Sequence, residues 1–147
     1  CEARNDAAVS PQAFTMLNSD MISDRGLALA ARIEKDTGNK LGQIHRAFHL
    51  ILGRFPESAE LRRMQSYLDD MQAYHETHTP TSTNYPSKII RSLVEEFSGI
   101  PFEYEEILPV FEDYQADLKP DQALPSTRAL ADLCLLLFNT HEFILID

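Results

Sequence analysis

Tryptophan is absent from these 147 residues, and glycine and cysteine are scarce, at five and two. The glycines do not form a phosphate-binding loop or a dinucleotide fingerprint, and there is no GxSxG elbow for a serine nucleophile. CxxCH is also missing, which excludes the usual covalent attachment of a c-type haem and gives no cofactor to this segment. Two cysteines make no disulfide framework, and a chain of this length buries roughly two-thirds of its unfolded surface without staples. Cys134 lies in an apolar run, where a thiol behaves as a small hydrophobe; a bridge to Cys1 is left open. Positive charge is in deficit too. Thirteen basic against twenty-three acidic residues give a net charge of −10, which opposes binding to nucleic acid or to anionic lipid. Long apolar runs are lacking as well: residues 133–138 are six apolar residues before Asn139, whereas a membrane span needs about 20. No charged segment followed by an apolar one opens the chain, so these residues carry no secretory signal. The opening CEARNDAAV reads as the interior of a longer polypeptide, with any localisation signal upstream.

What is present is helical periodicity. Residues 126–138 are the organising stretch: Ser126 is a suitable N-cap, and Ala129 to Phe138 is apolar on nearly every face except at Asp132, the pattern of a helix buried all round. Ser10-Pro11 starts a short first helix carrying Phe14, Met16 and Leu17. A second runs from Asp20 towards Gly38 on the stripe Ile22, Gly26, Leu29 and Ile33. The third, at 40–52, places Leu41, Ile44, Phe48, Ile51 and Leu52 on one face and ends at Gly53. A fourth, from Ser58 to about His78, carries Leu61, Met64, Leu68 and Met71. The short link between these last two predicts an antiparallel pair. Residues 79–87, with two prolines and no periodicity, read as a mobile loop. Ile90, Leu93 and Phe97 predict a fifth helix over 87–97 ending at Gly99. Ile107, Val110, Phe111 and Tyr114 suggest another within 101–120, broken or kinked at Pro109. Residues 117–125 form a second loop. After the buried helix, Asn139 with Glu142 has capping-box spacing and predicts a short last helix with Phe143, Ile144 and Ile146. No segment shows convincing strand alternation.

Three side-chain groups invite a chemical reading. His75 and His78, three apart near a helix end, could share a metal, but zinc takes three or four ligands and no third is identifiable. His45 and His49 have bridging spacing, yet Arg46 stands where a metalloprotease needs glutamate, so both read as core-edge residues. The tract 95–121 holds nine carboxylates against Lys119 alone. Calcium-loop spacing is absent from it, and acid–base work would need a closed cleft around one carboxylate. The tract therefore reads as a solvated acidic face for a basic partner, with Glu103, Glu105, Glu106, Glu112, Asp113 and Asp117 as its contact residues. Cys134, set among leucines with no base beside it, is a poor nucleophile.

Several fragments resemble the planctomycete-type C-terminal domain of unknown function, the PSD-one domain. They are Ser10-Pro11-Gln12-Ala13-Phe14 with Leu17-Asn18-Ser19, Ala47-Phe48 with Leu52-Gly53-Arg54 and Glu60-Leu61, and Arg128-Ala129-Leu130-Ala131-Asp132 with Leu137-Phe138-Asn139-Thr140-His141-Glu142-Phe143. Val94-Glu95-Glu96, Gly99, Pro101-Phe102-Glu103 and Glu112-Asp113-Tyr114 look like an insertion found in one branch. Phe55 replaces a frequent proline, and Thr140-His141 a usual Ser-Asn. The resemblance implies the C-terminal part of a large exported protein, often with a cytochrome-c-like, haem-bearing domain near its N-terminus. It supplies no catalytic residues.

The resulting expectation is a single all-α domain over 1–147, an irregular array of six to eight helices around a buried C-terminal helix. Its expected role is a non-catalytic interaction or scaffold module of an extracytoplasmic bacterial protein, in contact with upstream domains and a basic protein. Two alternatives use the same residues. One is an extracytoplasmic hydrolase of polysaccharide or sulfated glycan, with Glu103, Glu105, Glu106 or the His75/His78 pair contributing. The other is a docking module for an electron-transfer partner, whose binding would weaken steeply with salt.

Overall fold

The computed structural model describes residues 19–82, 86–108 and 118–144. The chain divides into two compact units, one made of Cys1–Thr81 with Leu118–Asp147 and the other of Ser82–Asp117. The expected first helix at Ser10-Pro11 lies outside the described residues.

In the first unit, α1 spans Asp20–Asp36, α2 Lys40–Leu52, α3 Ser58–Thr77, α4 Pro125–Phe138 and α5 His141–Ile144, with a 3-10 turn at Pro120–Gln122 before α4. α4 is the hub, buried at Ala129, Leu130, Leu133, Cys134 and Leu137. Leu27, Ala30 and Ile33 of α1, Ile44, Ala47 and Phe48 of α2, and Leu68 of α3 complete the core. α1 reaches α4 at Gly26, where an added Cβ would lie 3.2 Å from Leu135 Cγ and 3.4 Å from the Ala131 carbonyl. The missing side chain is what lets the two helices approach so closely.

Local chemistry sets most helix ends. The Asn39 side chain accepts the Gly42 N–H at 2.7 Å, and Gly53, at φ +70°, closes α2 in the left-handed region that glycine enters without strain. Glu60 accepts the Glu57 N–H at 2.7 Å at the start of α3. Two expected caps do not form. α4 begins one residue before Ser126, because Pro125 at its first position has no N–H to leave unpaired and a φ already suited to a helix. Glu142 does not close a capping box on Asn139, because its carboxylate is taken by Arg54 at 2.7 and 2.8 Å. Asn139 instead donates from Nδ2 to the Leu135 carbonyl at 2.8 Å.

The second unit overturns the all-α expectation. β1, Lys88–Val94, and β2, Pro101–Ile107, pair antiparallel, so the described fold is mixed, with five α-helices and a two-stranded sheet. The fifth helix expected over 87–97 is therefore β1 and its turn, and the first part of the helix expected within 101–120 is β2. Ile90, Leu93 and Phe97 have helical spacing, but Ile89, Ile90 and Val94 are β-branched and β-prone, and Pro101 at the first position of an edge strand needs no ladder donor. Val110, Phe111 and Tyr114, the remainder of that expected helix, lie outside the described residues.

Candidate functional site

The β1–β2 hairpin carries the largest group of exposed apolar side chains. Its loop is closed by the Glu95 N–H donating to the Ile100 carbonyl at 3.0 Å, and Gly99 sits at φ +69°. The Glu95 carboxylate accepts the Ser98 and Phe97 N–H groups at 2.7 and 3.2 Å. Bonding to Ser98 and then to the Phe97 amide holds that carboxyl below its usual range. The loop is thus ordered by its own acid, and it projects Phe97 with 97% of its surface exposed.

The register puts Ile89, Arg91, Leu93, Phe102, Tyr104 and Glu106 on one face and Lys88, Ile90, Ser92, Val94, Glu103, Glu105 and Ile107 on the other. On this second face Ile90, Val94 and Ile107 are 74%, 62% and 55% exposed. Diagonal ion pairs tie the strands: Lys88 to Glu105 at 2.8 Å on the second face, and Arg91 to Glu106 on the first. The acidic contact surface expected from the sequence is therefore divided. Glu103 and Glu105 share a face, Glu106 lies on the other, and two of the three are engaged by cations of β1. Glu112, Asp113 and Asp117 lie outside the described residues.

A separate group lies between α3 and α4. His75 Nε2 is 2.6 Å from Asp132 Oδ2, so the imidazole presents its Nε2 proton to the carboxylate. Arg128 donates to the His75 carbonyl at 2.8 Å and to the Pro120 carbonyl at 3.3 Å, pinning the end of α3 to the 3-10 turn. His75 and Asp132 border an open groove of about 400 Å³ lined also by Tyr67, Met71, Tyr74, Leu135 and Leu136. Burial, and then the nearby Asp132 charge, raise the Tyr67 hydroxyl above its usual pKa.

His78 is engaged elsewhere. It stacks on Tyr74 at 4.1 Å, and its Nδ1 lies 2.9 Å from both the Tyr74 carbonyl and the Thr77 hydroxyl. Among the described residues no three His, Cys, Asp or Glu side chains gather as a metal site. His45 and His49 both face Phe55, with ring centroids 5.8 and 5.5 Å away. Cys134 carries a free, buried thiol, and desolvation pushes its pKa up to about 12. The residue that sequence reasoning left unused is Asp132, and its signal was present: a lone carboxylate in an apolar helix must face water or a polar partner.

Residues 1–68 match the family model PSD1, described as a protein of unknown function (DUF1553), in agreement with the resemblance carried by Ser10-Pro11, Ala47-Phe48 and Leu52-Gly53-Arg54. The fragments from Val94 onward lie beyond that match. No curated protein and no solved structure matches the chain.

Proposed function

We propose that this chain, whose residues 1–68 match the PSD1 model of unknown function, is a non-catalytic interaction module of a larger extracytoplasmic bacterial protein, and that the β1–β2 hairpin is its contact surface. The observation that carries this reading is the exposure of Phe97, Ile90, Val94 and Ile107 on one small ordered element. Covering each such side chain is worth about 1.5–3 kcal/mol, so a partner seated there gains what the isolated hairpin forgoes. The hydrolase alternative receives less support. Glu103 and Glu105 stand on the opposite face of the hairpin from Glu106, and His75 is bonded to Asp132 in a groove whose described lining offers no second carboxylate to complete the acid–base pair that glycoside hydrolysis uses. We infer from the resemblance that any haem of the whole protein belongs to an upstream domain. Extracytoplasmic placement rests on that resemblance too.

Site-specific photo-cross-linking in cells that make the whole protein tests the reading. A benzoylphenylalanine at Phe97 is expected to cross-link to another polypeptide or to an upstream domain, and one at Glu76 on α3 is expected to give background only. Strong cross-links from position 76 with none from 97 would remove the hairpin from the role.

A further inference from the structure

We infer that the hairpin binds its partner by strand addition at the free edge of β2, and that the partner segment is extended and alternates basic with apolar residues. The inference rests on the contact-surface reading above and deepens it by naming the binding mode and the chemistry of the partner. The ladder is bonded at both ends: the Leu108 N–H donates to the Ser87 carbonyl at 2.7 Å, and the Glu95 N–H to the Ile100 carbonyl at 3.0 Å. Antiparallel pairs alternate between bonded and non-bonded, so Ile89 with Glu106, Arg91 with Tyr104 and Leu93 with Phe102 are the pairs that exchange hydrogen bonds. The N–H and C=O groups of Glu103, Glu105 and Ile107 therefore point away from β1. Among the described residues no strand pairs with them.

The same alternation selects the occupant. A strand bonded to Glu103 and Glu105 sets the residues directly opposite them on the face of the two carboxylates, and sets the residue between on the face of Tyr104 and Phe102. Positive charge at the first two places, with an aliphatic or aromatic side chain between them, complements this edge. Glu105 already meets Lys88, whereas Glu103 forms no ion pair with another described residue, so an incoming cation finds Glu103 uncommitted. A second copy of β2 would set Glu103 and Glu105 against their own counterparts, and the chain's net charge of −10 adds to that repulsion. The occupant is accordingly a basic–apolar strand of other origin. Strand addition of this kind draws affinity from main-chain bonds and specificity from alternate side chains.

The test uses the whole 147-residue chain and a short acetylated peptide alternating lysine with valine, read by amide hydrogen exchange. The peptide is expected to slow exchange at Glu103, Glu105 and Ile107. The double substitution Glu103→Lys and Glu105→Lys is expected to weaken binding about tenfold or more. Exchange at Arg91 and Tyr104 in the unliganded variant verifies that its ladder is intact. Equal binding of a peptide with the same residues in two blocks would overturn strand addition in favour of unspecific charge attraction. Protection at Ile90 and Ser92, or association of the chain with itself through β1, would also overturn it. Hairpin cross-links without any effect of the alternating peptide would sink this inference alone, while protection of β2 without cross-links from Phe97 would sink the contact-surface reading.

Discussion

Arg54 joins parts of the helical unit that lie far apart in sequence. Its guanidinium donates to Glu60 at 2.8 Å through two nitrogens and to Glu142 at 2.7 and 2.8 Å, and it lies 5.5 Å from the centroid of the Phe48 ring. This bidentate geometry on both carboxylates is one that lysine cannot reproduce. Bonding to Arg54, and then to the Glu57 amide, lowers the Glu60 carboxyl from its ordinary 4.5 to about 2. Glu142 moves in the same direction through Arg54. A carboxyl depressed in the folded state contributes stability that is present above pH 4.5 and is lost as pH falls through about 2. Arg54→Met should therefore lower the urea midpoint at neutral pH, and the gap from the parent chain should close between those two pH values. A gap that persists unchanged at the acid end would mean that Arg54 acts through packing on Phe48 and not through its carboxylates.

The seam between α1 and α4 sets which substitutions the core tolerates. At Gly26 an alanine Cβ meets Leu135 Cγ and Cδ2 at 3.2 and 3.3 Å, tighter than usual contact, so the Leu135 side chain must give by a few tenths of an ångström. Alanine also gains about 1 kcal/mol of helix propensity over glycine. The two effects are of similar size and opposite sign, so Gly26→Ala should leave stability close to that of the parent. Gly26→Val adds two methyl groups to the same gap and should cost about 1–3 kcal/mol in denaturant unfolding. A destabilised alanine variant would show that Leu135 cannot yield. These elements were legible in the sequence to unequal degrees. Asn39 and Gly53 carry their cap chemistry in their own side chains or lack of one, so the bounds of α2 could be read directly. α4 was legible because a run as apolar as 129–138 has nowhere to go but the core. The hairpin was not, because Lys88–Val94 lacks the alternation of a half-buried strand, and in β2 the alternation Phe102-Glu103-Tyr104-Glu105 spans only four residues. Without that signal, Ile90, Leu93 and Phe97 mimic a helix stripe. The pairing of His75 was not legible either, because its partner Asp132 lies 57 positions away and no local pattern supplies it.

At the scale of the whole chain, the two units differ in how they are held together. The helical unit has a continuous core centred on Ile33, Ile44, Leu130 and Leu133, all at most 1% exposed. Two exposed ion pairs and seven paired positions hold the hairpin, with no side chain of either strand fully buried. Exposed pairs contribute little, about 0–1 kcal/mol each, and a two-stranded sheet alone is at best marginally stable in water. Stability should therefore reside almost entirely in the helices, leaving the hairpin as the element free to change when a partner covers it. Replacing Ser82–Asp117 by a flexible glycine–serine linker tests this directly. The shortened chain is expected to keep its helical circular dichroism, a cooperative transition and a thermal midpoint within a few degrees of the parent, because the core residues of α1 to α4 are all retained. Loss of cooperative unfolding would show that the segment contributes to the helical core, and its description as a separate presenting unit would have to be given up.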